Sequence, residues 1–386
     1  MRIPKPILVF LAVRTFLFLS LPIEGLLGYG DLAHFAGWAA LEGWPFLDYW
    51  MEFPPVFPLA ADVLFRLAGG RDHVFYYLLA VVFTLAQAAN LALFMRIANI
   101  IRPGGGERRA WIYLALLAGL FYGWTYFDPL GVLALLAGLA LTLDGRAARA
   151  GFVFGLGALV KWFPLLGLAA LLRRQTAFSH WKPLAAAAAL FLVGWSSLLL
   201  ASPEFTTASL RSQAAKGSWE TVWALVDGNL GTGNFGAKEE RYDPARALAP
   251  QGNPSVLPPA LTLIPFALLG AWAYLRSRLA TPKSVVAFTG LTLCLFFLWS
   301  PGWSPQWVLY LLPFIFLLLP ERRAALFGLT FVLINLLEWP LLLSRGIFQG
   351  LYLTVPLRTL LIVLLAAEFW RMIPSGRPHW TGQEPS

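Results

Sequence analysis

Long apolar runs recur along almost the whole chain, separated by short polar stretches. A helix needs about 20 mostly apolar residues to cross a bilayer. Such runs fall near 7–27, 73–95, 110–126, 129–143, 151–172, 183–202, 257–276, 284–299, 306–320, 324–343 and 351–370. The pattern predicts an all-α, polytopic transmembrane helix bundle of about 10–13 membrane helices, given the length each needs. It is read as one module over residues 1–386, with short helices in outer loops 28–57 and 203–256.

The polar stretches orient the bundle. Arg2 and Lys5 precede the first run, which lacks a small-residue cleavage site and is read as an uncleaved helix with its start in the cytoplasm. The stretch 28–57 carries Asp31, Glu42, Asp48 and Glu52 and no Lys or Arg, so it is expected outside. The stretches 96–109, 144–150, 173–182, 276–283, 321–323 and 371–377 each carry Arg or Lys and are expected inside. Two runs resist simple crossing. The run 56–70 is short and holds Asp62 and Arg66, so it is expected to dip from the outside. The run 151–172 lies between two basic loops and must enter and return, as a broken hairpin with Lys161 near its turn, just before Pro164. Gly151 and Gly155 are expected to admit a close helix neighbour.

Composition sharpens this reading. Of 386 residues, 58% are hydrophobic and 13% charged, about half the charge of an ordinary soluble domain. An aromatic content of 15% excludes disorder, and the single cysteine, Cys294, excludes a disulfide framework. The net charge of +9 is scattered in small groups such as Arg108-Arg109, Arg173-Arg174 and Arg322-Arg323. A nucleic-acid interface would need a continuous basic face, so that partner is excluded.

The informative residues are the polar ones in so apolar a chain. Asp31 closely follows the first run, at the water–lipid boundary, and serves equally as a helix N-cap or as a catalytic carboxylate; His34 lies three residues on. Asp48 and Glu52, four apart, are either solvated or share a proton or a metal. Lys161 is the strongest single signal, because a Lys within an apolar run marks either a functional cation or a snorkelling side chain. Arg14, nearer the cytoplasmic end of its run, is read as snorkelling. Asp128-Pro129 reads as a turn and a substrate-binding candidate. In the outer turn 300–306, Trp303 and Gln306 are candidates to stack on and hydrogen-bond a sugar, although Trp at an interface is often an anchor. Loop 203–256 holds Arg211, Gln213, Lys216, Ser218 and Glu220, then Asn229, Gly231, Gly233 and Asn234, and is read as a flap or an ordinary solvated loop. No HExxH or CxxC motif occurs, and Pro103-Gly104-Gly105-Gly106 lacks the Lys of a phosphate loop.

Taken together, several of these residues resemble a known group. Asp31 after the first run, Gly43-x-Pro45-Phe46, Glu52-Phe53-Pro54-Pro55, Gly155-x-Gly157 through Lys161 to Pro164, and Ser304-Pro305-Gln306-Trp307 leading to Pro313 occur in the order found in GT-C membrane glycosyltransferases. The resemblance is to the family 87 and GPI-type mannosyltransferases, which usually carry Tyr where this chain has Phe46 and Phe53. It implies transfer of a sugar, mannose foremost, from a polyprenyl-phosphate donor to a hydroxyl of a glycan or glycolipid acceptor, with inversion. Asp31 would be the general base. Lys161, with Arg211, would hold the donor phosphate, and His34, Asp48, Glu52, Asp128, Trp303 and Gln306 would be substrate-binding candidates. No nucleotide site is required, a divalent metal is left open as a cofactor, and membrane lipid is the surrounding partner. The implied location is a bacterial inner (plasma) membrane with the site facing outward. A lipid or small-solute transporter or scramblase is the alternative, but it would need polar residues deep on several helices, whereas here they gather on one side.

Overall fold

The computed structural model describes residues 3–174, 180–231 and 234–375. Gly233, the middle of the basic stretch 173–182 and the end of 371–377 lie outside the described residues. In chain order the helices are α1 (Lys5–Ser20), α2 (Leu32–Ala39), α3 (Val56–Leu67), α4 (Asp72–Ile101), α5 (Gly106–Leu117), α6 (Tyr122–Thr125), α7 (Asp128–Leu143), α8 (Ala147–Val160) and α9 (Gly167–Arg174). They continue with α10 (Trp181–Ala201), α11 (Pro203–Ala215), α12 (Val222–Asp227), α13 (Pro259–Arg276), α14 (Pro282–Trp299), α15 (Val308–Leu318), α16 (Glu321–Leu336) and α17 (Leu351–Arg371). Strand-like pairing among the described residues is limited to isolated bridges. The protein is a polytopic helical membrane bundle.

Six helical segments among the described residues are long and apolar enough to cross a membrane: α4, α10, α13, α14, and the stretches Glu321–Arg345 and Phe348–Arg371. The count is lower than the apolar runs predict because several runs continue through breaks in the backbone. The first run is helical only to Ser20; Pro22 follows, and the chain turns through 101° into a 3-10 segment, Ile23–Tyr29. The run 110–126 is divided between the short α5 and α6. Three further apolar helical segments, Asp128–Leu143, Ala147–Val160 and Pro305–Leu318, are shorter than a full span. At 1.5 Å per residue, α8 rises only about 21 Å.

Charge pairs gather the basic stretches at one end of the bundle. Arg96 pairs with Asp144 at 2.5 Å, Arg108 with Glu321 at 2.6 Å, and Arg323 with Glu368 at 2.9 Å. Arg102 and Arg109 donate to carbonyls at the end of α15, and Arg173 donates to the Ser277 carbonyl at 3.0 Å. The opposite end carries stretch 28–57 and stretch 203–256, stitched together. Glu42 N donates to the Tyr242 hydroxyl (2.7 Å), Trp50 N to the Arg241 carbonyl (3.1 Å) and Met51 N to Ser209 Oγ (2.9 Å).

The run 151–172 is a re-entrant hairpin, as its flanking charges predict. Lys161 leaves α8 in an extended conformation, Phe163–Leu166 forms a 3-10 turn, and α9 returns. Arg174 donates to the Thr142 carbonyl (2.6 Å) at the basic end of α7, while Lys161 meets Asp128 at the other end of the same helix. Both feet of the hairpin therefore stand at the basic end. Gly151 and Gly155 do admit a neighbour: an added Cβ would lie 2.2 Å from the Pro183 carbonyl oxygen and 2.5 Å from that of Ala187, on α10.

Arg14 does not snorkel. It is fully buried in the bundle, donating to Gln87 Oε1 (2.8 Å) and to the carbonyls of Leu117 (3.3 Å) and Leu120 (3.2 Å). Those carbonyls lie at the end of α5 and just beyond it, where each otherwise accepts a long backbone hydrogen bond, from Leu120 N and Gly123 N, at 3.3 Å. Its guanidinium also faces the Trp124 ring at 4.7 Å. Arg14 thus stabilises the break between α5 and α6.

The arrangement gives a topology test. Cys294 is buried, so single introduced cysteines report cleanly. With the basic end in the cytoplasm, an impermeant thiol reagent added outside intact cells should label Glu42→Cys and Arg211→Cys, and should label Pro103→Cys only after permeabilisation. Labelling of Pro103→Cys in intact cells would reverse the orientation.

Candidate active site

Asp31 is placed by a close backbone contact. An added Cβ at Gly30 would fall 2.3 Å from the Thr125 Cβ, and this approach lets Asp31 N donate to the Thr125 carbonyl (3.2 Å). Asp31 occupies the N-cap position of α2, yet its side chain makes no capping hydrogen bond. Its carboxylate is free to act on something other than the helix. Burial, joined by the charge of Asp128, pushes its pKa up to about 6, against the lowering pull of His34, Lys216 and Lys161. His34 itself is exposed and stacks on Trp38, with ring centroids 6.1 Å apart.

Across from Asp31 lies the hairpin tip. Lys161 Nζ is 2.6 Å from Asp128 Oδ1, and both side chains are buried. The ammonium also lies 4.8 Å from the Phe127 ring, 5.4 Å from Phe163 and 5.6 Å from Trp307. Lys161 is therefore not snorkelling, and Asp128 is more than a turn residue: it begins α7 and neutralises the cation. Trp162, the next residue, donates through its indole to Gln213 Oε1 of α11 at 2.5 Å, tying the tip to the second outer loop.

That loop supplies two more cations. Arg241 is buried between the rings of Trp38 (4.9 Å) and Trp50 (4.7 Å) and pairs with Glu52. Burial alone would raise the Glu52 carboxyl, but the charges of Arg241 and Lys216 prevail and hold it below its usual value. Lys216 follows α11 and lies 4.8 Å above the Trp219 ring. Behind this layer, Glu220 adopts a left-handed φ of 50° and is buried. Its carbonyl accepts from Arg358, which also pairs with Glu338. Burial pushes the Glu220 carboxyl up to about 8, against the opposing charge of Arg358.

Asp31, Asp128, Lys161 and Glu52 thus come together, while other sequence candidates do not join them. Asp48 is exposed and accepts from Trp44 N (2.7 Å), closing a tight turn; it shares nothing with Glu52, whose partner is Arg241. Arg211 is exposed on α11, and Lys216, five residues on, faces the acids instead. Trp303 is 1% exposed and donates to Asn335 Oδ1 at 3.0 Å, so it offers no open ring face. Trp307 is the indole that borders Lys161. Gln306 is buried in the same turn. Among the described residues no three His, Cys, Asp or Glu side chains converge as metal ligands do. The sequence does not single out Arg241, which sits in a charged loop, and Trp307 enters it only as the last residue of the Ser304-Pro305-Gln306-Trp307 motif.

Comparison with protein-family models, curated proteins and solved structures finds no match to this chain.

The buried pair makes a stability prediction. Asp128→Asn leaves the Lys161 ammonium without a counter-charge, and should lower stability by about 3–5 kcal/mol. The double change Asp128→Asn with Lys161→Met should recover most of that loss, read by thermal unfolding in detergent. An unchanged unfolding temperature in the single variant would show that water solvates Lys161.

Proposed function

We propose that the protein is a membrane glycosyltransferase that moves a sugar, mannose foremost, from a polyprenyl-phosphate donor to an acceptor hydroxyl, with inversion. The observation that carries this reading is Asp31: a partly buried carboxylate that accepts no hydrogen bond from the described residues and feels the charges of Lys216 and Lys161 at one end of a membrane bundle. The lack of a matching relative leaves the reading resting on this site and on the motif resemblance. In the proposed step the acceptor oxygen attacks the anomeric carbon. The bond from that carbon to the phosphate oxygen breaks, and the phosphate monoester leaves with the electron pair. Asp31 takes the hydroxyl proton, and Lys161 supports the charge on the leaving phosphate. Asp128 holds Lys161 in place for that role. The distribution of Lys and Arg supports a site on the outer face, and we place the protein in a bacterial plasma membrane on that basis and the resemblance.

The test is transfer from a radiolabelled polyprenyl-phosphate mannose by the purified protein. Asp31→Asn should cut turnover by about 10²–10⁴ while donor binding stays near wild type. Asp48→Asn, which alters only the turn, should keep most turnover. Wild-type activity should rise with pH through about 6, as Asp31 loses its proton and becomes competent as a base. A profile flat from pH 5 to 8, or full activity in Asp31→Asn, would remove Asp31 from this role.

A further inference from the structure

Arg241, Lys161 and Lys216 stand with Glu52, Asp128 and Asp31 around the candidate site, and their pairing is uneven. Arg241 is taken by Glu52, and Lys161 by Asp128. Lys216 and Asp31 remain, and neither forms an ion pair with any described residue or with the other. Lys216 is half-buried, and among the described residues its ammonium lies against the Trp219 ring at 4.8 Å. Burial draws its ammonium below the usual lysine value, with Arg241 and Lys161 adding to this and Glu52 and Asp31 opposing. An ammonium without an ion-pair partner keeps its N–H donors for an anion that can reach contact distance.

The aromatic wall connects the two lysines. Trp219 and Trp307 have ring centroids 6.1 Å apart, with Lys216 over the first and Lys161 near the second. The wall is fixed: Trp219 Nε1 donates to Ser304 Oγ at 3.2 Å, and its ring fills the space above Gly302, where a Cβ would fall 2.2 Å away. We propose that Lys216 is the primary contact for a phosphate monoester, seated against Trp219 and Trp307, and that Lys161, committed to Asp128, supports it from the side. This inference rests on the glycosyl-transfer reading for the prenyl chain of the ligand. Lys216 and Asp31 do not pair with each other, so the cation that takes the phosphate and the carboxylate that takes the proton are not tied together.

The experiment is equilibrium titration of the full-length protein in detergent with citronellyl phosphate, citronellol and inorganic phosphate. Wild type should prefer citronellyl phosphate to citronellol by about tenfold or more, the worth of a charge-assisted hydrogen bond. Lys216→Gln should abolish that preference, Lys216→Arg should retain most of it, and Lys161→Gln should reduce it less than Lys216→Gln does. A preference that survives Lys216→Gln, or that falls further in Lys161→Gln, overturns the proposal. So does a wild type that binds neither phosphate. Lys216-dependent binding of inorganic phosphate without any preference for citronellyl phosphate would uphold the anion seat and overturn the prenyl-phosphate reading. If Lys216→Gln fails to fold, Lys216→Cys is purified once and divided. Treatment with 2-bromoethylamine restores an ammonium and should restore the preference, and iodoacetamide should not; equal binding by the two products overturns the proposal.

Discussion

The ion pair between Lys161 and Asp128 is the interaction on which the rest of this end of the bundle depends. A lysine at the tip of a re-entrant hairpin cannot lie in apolar surroundings without an anion. The chain meets that requirement with an aspartate at the first turn of α7, the helix along which the hairpin runs. Once the tip is fixed, Trp162 reaches the second outer loop through Gln213, and Phe163 packs against Trp307 and Tyr310 with ring centroids 4.8 and 4.9 Å away. The glycines complete the fit. Gly157 leaves room for Pro164 and Ala134, and Gly138 and Gly167 leave room for the Phe154 ring. The hairpin is held by a charge at its tip and by the absence of side chains along its arms.

The second constraint lies on the other side of Asp31. Arg14 adds a donor to the carbonyls of Leu117 and Leu120 where the chain passes from α5 to α6, and α6 presents the Thr125 carbonyl to Asp31 N. Gln87 joins the two, bonding Arg14 and lying where a Cβ on Gly123 would fall. A buried arginine on the first helix thereby braces the segment that holds a carboxylate seventeen residues further along the chain.

Much of this was legible in the sequence. The apolar runs gave the helical bundle, the basic stretches gave one common end, and the flanking charges with Pro164 gave the hairpin and its lysine. Asp31 stood out because it follows an apolar run at the boundary. What was not legible depends on distant partners or on local direction. Nothing in the order of residues pairs Lys161 with Asp128 or Arg241 with Glu52, because these partners meet only after the hairpin and the two outer loops have packed. Trp303 and Trp307 sit four residues apart in one turn region, and only the fold decides that one indole goes to Asn335 and the other to Lys161. Hydropathy is also blind to the break after α5, since leucine and phenylalanine continue through it. Arg14 reads as a side chain reaching for water because its partners are two backbone carbonyls, which leave no mark in the sequence, and a glutamine seventy-three residues away.

The hairpin tip and the two outer loops are fastened to one another at three points. Trp162 of the tip donates to Gln213 on α11, Met51 N of the first loop donates to Ser209 on the same helix, and the Tyr242 hydroxyl both accepts from Glu42 N and donates to the Glu42 carbonyl. Ser209 and Gln213 stand about one helical turn apart, so α11 links the tip to the first loop. A displacement of any one of these segments is therefore carried to the other two, and Lys161 shares in it as the neighbour of Trp162.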